Sequence, residues 1–543
     1  MSWRNAWLKS LSSGSRRHDC TSSTYMEPMD PTSEGPRDSH CAYDSSQTRC
    51  HRKEEVMDKM REQIPLERMD AYRWRIPQSY QPAMRVPGMV YADDALIEDI
   101  KEEHALQQVA NVATLPGIVG YSLGMPDIHW GYGFPVGGVA ATHAESGVVS
   151  PGGIGFDINC GVRLLATDLR YDQVRTKAER LADELFHHLP SGVGGAGMRE
   201  LDADELRVVM VRGAAWAVEE GYGFPEDLAV TEEQGRLTGA DPDTVSHTAI
   251  QRGIKQPGSL GSGNHFCEVE IVDQIYDAET ARAFHLHQVG QVVVTIHCGS
   301  RGFGHQIAQD YIRLAEAKQQ DFGFHLVDRQ LACLPLQSSE GKAYLAAMAC
   351  GANFAWANRQ LLLHGVRQAF STVFALPLSS QDMPLVYDVC HNIAKMEEYV
   401  VDGVLQRVCV HRKGATRSFP ASHPALPAQY QAVGQPVLIP GDMGRYSFVL
   451  VGAAGSIAES FGSCCHGAGR RQSRTAAKKS ISSRKLFDQL EAQGITVRVH
   501  SKGLLAEEAP SAYKDAQQVV NVVHHAGLAT LVARLKPVIV VKG

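Results

Sequence analysis

Five side chains carried by glycine-rich segments form an inventory that suits a metal ion: Asp157, Cys160, His265, His297 and His391. They come from GGIGFDINCGVR, GSLGSGNHFCEVE, TIHCGSRGFGH and DVCHNIAKMEEY, each expected just after a strand. Glycine at such places lets the backbone approach a ligand closely with its amides exposed. One histidine beside glycines is ordinarily a hydrogen-bonded structural residue, but a thiolate, a carboxylate and three imidazoles from four separate segments make a ligand set. Structural zinc recruits paired Cys-x-x-Cys ligands, and none occurs here, since Cys464 and Cys465 are adjacent. The mixed set suits a catalytic ion, and five ligands allow two ions bridged by Cys160. Intrinsic affinity at such ligands favours zinc or copper over manganese, so ligand type leaves the metal open.

His466, in FGSCCHGAGRR, stands apart from that set. An imidazole nitrogen is a competent nucleophile near neutral pH and forms a phosphoramidate with an activated phosphoryl group. Gly467, Ala468 and Gly469 would let the chain pack against a nucleotide, with Arg470 offsetting phosphate charge. The competing readings are a sixth metal ligand or a structural histidine. HRKGATR supplies Arg412, Lys413 and Arg417 around a glycine and a hydroxyl, suited to RNA or another phosphate-rich ligand. From Arg470 to Lys485, seven cations occur in sixteen residues with no acid among them. Arg470, Arg474 and Lys478 form one stripe if this stretch is helical. Such a run is either a solvated face or an RNA contact.

Elements that could position these residues are visible from about Met69 onward, where short β-branched runs alternate with Ala- and Leu-rich amphipathic segments. Strands are expected at QVVVTI before His297, PLVYDV before Cys390, QPVLI before Pro440 and ITVRV before His500. Helices are expected over 174–188, 306–318 and 343–369. The fold class is mixed α/β, with one large catalytic domain over 69–543 and an insertion near 215–250. Residues 1–68 are rich in Ser, Thr, Pro, Asp and Arg and are expected to be a disordered extension. Its first 18 residues are basic without an acid, which superficially matches a transit peptide; a dispensable tail is the plainer reading.

Composition narrows the function classes. With 53 Lys+Arg against 60 Asp+Glu, the net charge of −7 excludes a wholesale polybasic coat. No run of 18 apolar residues suggests a membrane span. Twelve scattered cysteines in a long chain point to reduced thiols and a cytoplasmic setting.

Taken in order, GFDINCGVR, GSGNHFCE, HCGSRG, DVCHNIAKMEE, HRKGATR, PGDMG and CHGAGR closely resemble the RtcB family of GTP-dependent 3′-phosphate RNA ligases, over about residue 69 to Gly543. The resemblance implies a guanylylated histidine at His466, transfer of the guanylyl group to an RNA 3′-phosphate, and displacement of GMP by a 5′-hydroxyl. It implies opening of 2′,3′-cyclic phosphate ends and a place in tRNA splicing or RNA repair. Asp157, Cys160, His265, His297 and His391 carry over as ligands of Mn2+, with two ions expected. The GTP site carries over as Asn264, His265, Phe266, Cys267, Glu268, His391, Asn392, Pro440, Gly441, Asp442, Met443, Ser447, His466, Gly467, Ala468, Gly469, Tyr513 and Lys542. RNA is the implied partner, with room for an archease-like activator. Where many relatives carry a small hydroxyl residue in PGxMG, this chain has Asp442; its carboxylate either accepts from guanine N1–H and N2–H or serves the turn only, leaving Glu268 to read the base. Two other classes compete: a metal-dependent phosphoesterase using His466 as a ligand, and a silent RNA-binding member.

Overall fold

The computed structural model of the protein describes residues 64–192 and 194–543. The expectation for the N-terminal extension lies, but for its last five residues, outside the described residues; Glu67 and Arg68 themselves form a two-residue strand paired with Arg73–Ile76. The architecture is mixed α/β. A seven-stranded sheet runs in the order Glu67–Arg68, Arg73–Ile76, Gly88–Tyr91, Ile118–His129, Val136–His143, Val404–Lys413, Asn392–Val401. An eight-stranded sheet runs Leu385–Cys390, Gly161–Arg170, Gln291–Cys298, Phe266–Ile275, Ala529–Lys542, Ser447–Gly452, Pro436–Ile439, with Thr496–Val499 pairing in parallel with Ala529–Lys542. The four expected strands all form. Gln291–Cys298 is buried at every position, so its β-branched run reads as continuous rather than alternating.

Register in the second sheet decides the chemistry. Gly161 pairs with Cys298 and Cys390, Val162 with His297, and Phe266 with His297 and Lys542. Neighbouring strands lie about 4.8 Å apart. These pairings therefore bring the residues at or beside the ends of four strands, Cys160, His265, His297 and His391, to one place on the sheet. His391 is also the residue between the two sheets, since the chain enters it from Leu385–Cys390 and leaves along Asn392–Val401.

The helix expected over 343–369 extends over Ser339–Phe374, about 54 Å at 1.5 Å per residue. Ser338 caps it, its Oγ accepting from Gly341 N–H at 3.0 Å, and Ala375 ends it in the left-handed region at φ 57°. It is apolar nearly all round because it is buried nearly all round, packed against helices Ala178–His188, Ala203–Arg212 and Ala214–Glu219. The segment 215–250 is no detachable insertion. It supplies buried Asp227, which holds Arg367 of the long helix at 2.7 Å, and buried Glu232, which holds Lys395 at 2.6 Å. Among the described residues no helix is long and apolar enough to cross a membrane.

Polar residues of the long helix tie the sheets down. Arg359 reaches Asp388 at 2.8 Å, Arg163 reaches the same carboxylate at 2.6 Å, and Trp356 Nε1 donates to it at 3.1 Å, all four side chains fully buried. Removing one member of a buried ionic group leaves the others uncompensated, a loss of about 3–5 kcal/mol. Asp388→Ala is therefore expected to lower the urea midpoint by that equivalent; an unchanged midpoint would mean both guanidinium groups find other acceptors.

Candidate active site

Cys160 is the centre of the donor cluster. Its Sγ lies 3.4 Å from His265 Nε2 and 3.2 Å from His297 Nε2, and His297 Nε2 lies 3.3 Å from His391 Nε2. Asp157 Oδ2 is 2.8 Å from His265 Nε2. The five residues resolve into two groups able to hold an ion, Cys160–His297–His391 and Asp157–Cys160–His265, with ligand atoms in each within 4.8 Å of one another. The sulfur belongs to both.

The chemistry of the set fits a cation. Leu260 O lies 3.1 Å from His265 Nδ1 and accepts a proton there, while Nε2 shares a second proton with Asp157, which a bound cation would displace to free the Nε2 lone pair. Burial, then the nearby His265 and His466 rings, push His297 well below its usual range, and burial with His466 and His297 does the same to His391. Both rings are neutral, with lone pairs to give. Burial and Asp157 push the Cys160 thiol up to about 12; a bound divalent charge reverses that balance and yields a thiolate. Burial raises the Asp157 carboxyl, but its hydrogen bond to His265 outweighs this and holds it ionised. Ser300 N–H and Oγ–H secure its other oxygen at 2.8 and 3.1 Å.

His466 follows the short strand Ser463–Cys465, beside the cluster, with ring centroids 5.0 Å from His391. Its Nδ1 lies 2.5 Å from Asp127 Oδ2, and the same oxygen accepts from the backbone N–H of His466 at 3.0 Å and Gly467 at 3.3 Å. Asp127 is fully buried. A proton held on Nδ1 leaves Nε2 as the basic nitrogen. Gly469 is left-handed, φ 74°, with the Asp127 carbonyl against its Cα, so a side chain there would collide.

A cleft of about 510 Å³ surrounds these groups. All five cluster residues line it, as do Asn264, Phe266, Glu268, Asn392, Pro440, Gly441, Asp442, Met443, His466, Gly467, Ala468, Gly469, Tyr513 and Lys542. Two residues expected at the nucleotide are turned away. Cys267 alternates with Phe266 and Glu268 and so faces the opposite side of its strand, in the core with Val269 and Val541. Ser447 serves the turn before its strand, its Oγ accepting from Gly441 N–H at 3.2 Å.

The expected phosphate cations are also rearranged. Arg412 is buried against Glu397 at 2.8 Å, and Arg417 is buried against Glu233 at 2.8 Å and Glu232 at 3.4 Å. Their charge is neutralised inside the protein, which corrects their expected contact with phosphate. Lys413 does line the cleft, but its Nζ donates to the carbonyls of Tyr132 at 2.5 Å and Phe134 at 2.9 Å, and burial pushes it down to about 7. Arg470 precedes rather than joins the helix Arg474–Ser480. It stacks over the Tyr513 ring at 4.9 Å and pairs with Glu508, which also holds Arg474 at 3.2 Å. Asp442 is the turn residue: it meets Arg445 Nε at 2.5 Å and accepts from Gly444 N–H at 3.1 Å, its side chain wholly buried. Burial pushes the Glu268 carboxyl well above its usual range, reinforced by Glu270 and opposed by Lys542.

Three residues lie outside the motifs read from the sequence: Asp127, buried against His466, and His129 and Glu508, which line the cleft. The first two end GYSLGMPDIH, a strand followed by Gly131. That is the same form as the segments singled out for His265 and His297, so the signal was present.

Cys160→Ala removes the only atom common to both donor groups. After equilibration with a divalent cation and gel filtration, elemental analysis is expected to find affinity weakened about tenfold or more, with an unchanged far-UV circular dichroism spectrum. Wild-type metal content would show that the sulfur is not a ligand.

A family model described as tRNA-splicing ligase RtcB matches residues 108–543. The chain is 55% identical over 484 residues to the tRNA-splicing ligase RtcB of Thermococcus kodakarensis, covering 89% of this chain and 100% of that protein. It is 51% identical over 478 residues to the protein of that name from Archaeoglobus fulgidus, covering 88% and 99%. For Aeropyrum pernix the figures are 49% over 482 residues, 88% and 100%. With a matching model across most of its length and relatives at half identity over their whole length, the chain belongs to the RtcB family.

Proposed function

We propose that this chain is an RNA ligase that joins 3′-phosphate or 2′,3′-cyclic phosphate ends to 5′-hydroxyl ends, with GTP as co-substrate and Mn2+ as the ion, in tRNA splicing or RNA repair. The observation that carries this reading is the His466–Asp127 pair beside the donor cluster, a locked nucleophile next to a place for phosphate. His466 Nε2 attacks the α-phosphorus of GTP; the P–N bond forms and pyrophosphate leaves. Asp127 keeps the Nδ1 proton and balances the positive charge the ring acquires. An oxygen of the RNA 3′-phosphate then attacks the same phosphorus, the P–N bond breaks, and the guanylyl group moves to the RNA end. Attack by the 5′-hydroxyl on the 3′-phosphorus forms the phosphodiester and releases GMP. A cyclic end is first opened by water. Manganese held by Asp157, Cys160, His265, His297 and His391 would neutralise phosphate oxygens and align in-line attack. The free thiols of the nine described cysteines fit a reducing, cytoplasmic compartment.

Glu268 is the proposed reader of guanine. Asp442 is occupied by Arg445, whereas Glu268 lines the cleft; burial and Glu270 favour its neutral form, Lys542 opposes them, and the donors of a bound guanine would complete its ionisation. An ionised carboxylate accepts from N1–H and N2–H together, which adenine cannot satisfy. A phosphoesterase would have no use for such a reader, nor for a nucleophile held apart from the donor set.

Incubation with α-labelled GTP and Mn2+ is expected to leave label on the wild type that acid removes and alkali does not, as for a phosphoramidate. His466→Ala should carry none. Asp127→Asn can donate to Nδ1 and so favour the wrong tautomer, slowing labelling on the order of a thousandfold. Absence of label on the wild type would overturn the reading. Glu268→Ala should lose discrimination of GTP from ATP while Asp442→Ala keeps it; the reverse result would return base reading to Asp442.

A further inference from the structure

One side of the cleft carries aromatic rings that the chemistry above leaves unused. Trp130 is 55% exposed, the exposed tryptophan among the described residues, where Trp216 and Trp356 are buried and Trp74 is half-buried. Its backbone neighbours are pinned. Gly131 exchanges two hydrogen bonds with the Gln108 side chain, N–H to Oε1 at 3.0 Å and Nε2–H to the carbonyl at 2.6 Å. The Tyr132 carbonyl holds Lys413, and Gly133 N–H donates to Gln330 Oε1 at 2.9 Å. On the other side the His129 ring lies 6.4 Å from the His466 ring. The indole meets His104 in a T-shaped contact, centroids 5.4 Å apart and planes at 74°, and over half of the residue still faces solvent.

Position gives this exposed ring a use. His129, Gly131 and Tyr132, flanking it in the chain, all line the cleft, so the backbone that carries the indole runs along its edge. Within the cleft the rings continue, Tyr132 to Phe156 at 5.6 Å and Phe156 to His305 at 6.2 Å. A large flat side chain on an immobilised backbone is the surface on which unpaired RNA bases stack, because every base offers a π face and little conformational entropy is lost. An RNA end reaching His466 must bring its neighbouring nucleotides past this edge.

We propose that Trp130 is a stacking platform for the base of an unpaired nucleotide near the RNA end being joined, from either the 3′-phosphate or the 5′-hydroxyl strand. This rests on the ligase reading, and the test separates the two. Full-length wild type, Trp130→Ala and Trp130→Tyr are first labelled with α-labelled GTP, a step that needs no RNA. No label on wild type removes the ligase reading; equal label on all three shows the nucleotide site intact. Ligation of single-stranded RNAs is then expected to show KM for RNA raised about tenfold in Trp130→Ala, with Trp130→Tyr recovering most of the loss. An abasic nucleotide at one of the first few positions of one strand should reproduce the loss in wild type but add little in Trp130→Ala, and the strand concerned identifies the source of the base. An unchanged KM in a fully labelled Trp130→Ala overturns the proposal. Should that variant fold poorly, the abasic series on wild type decides alone: indifference at every position of both strands overturns it.

Discussion

The Arg359 guanidinium lies where the long helix meets the ends of the strands, with no solvent to share its charge. Two of its nitrogens meet Asp388 at 2.8 Å, and the third donates to the carbonyls of Asn159 at 2.7 Å and Cys298 at 2.9 Å. Those carbonyls belong to the residue before Cys160 and the residue after His297. One planar cation therefore fixes the spacing of two segments of the donor cluster that are far apart in the chain, and it does so with donors in a rigid fork. Lysine, a point charge on a flexible stem, could not impose that geometry. Arg163 shares the same carboxylate, so two cations are matched by one anion. The surplus positive charge falls on backbone carbonyls beside Cys160, where it favours an anionic sulfur. The site is thus pre-arranged by an ionic bond at its back before any ion arrives at its front.

Charge elsewhere follows the same logic of local pairing. A net charge of −7 does not oppose a phosphate-rich substrate, because what the substrate meets is the field in the cleft. Cations that a sequence would assign to phosphate divide into two kinds. Arg412 and Arg417 are paid out to Glu397, Glu232 and Glu233 in the interior. Arg470, Arg474 and Lys542 line the cleft around two buried acids: Glu508, which they hold below its usual range against the effect of burial, and Glu268, which burial and Glu270 raise. That excess of cations over acids faces the opening, while Lys479, Arg484 and Lys485 are exposed on the same run. The positive charge at the opening is thus a small patch rather than a long basic face.

How much of this could be seen in the residues alone depended on distance along the chain. Strands such as Gln291–Cys298 were legible because β-branched runs need no distant partner to declare themselves. The five donors were legible because glycine-rich strand ends with His or Cys have a local form. Asp127 had the form too, yet its meaning comes from a hydrogen bond across 339 residues, which no local spacing encodes. The same holds for Arg412 and Arg417: a basic cluster looks alike whether it faces phosphate or a buried glutamate. Asp442 was legible only as a pair of alternatives, because no local pattern shows that Arg445, three residues on, meets its carboxylate. Alternation in a strand could have excluded Cys267, since Phe266 and Glu268 already claim the cleft face.

His466 belongs to neither large sheet, and its alignment with the donors needs its own cause. The strand Ser463–Cys465 pairs with Ala415–Arg417, placing Cys465 opposite Ala415. Ala415 N–H in turn donates to the carbonyl of His391 at 3.1 Å. His466 is therefore one residue beyond a strand whose partner is hydrogen-bonded to His391 of the donor cluster. Asp127 closes the circuit from the other side, since it ends a strand of the seven-stranded sheet and binds both the ring and the backbone of His466. A shift of either sheet would move the donors and His466 together along one chain of hydrogen bonds. Near-attack geometry tolerates errors of only a fraction of an ångström, and the proposed role of His466 as nucleophile would need the tolerance that coupling by backbone, rather than by side-chain packing alone, is able to meet.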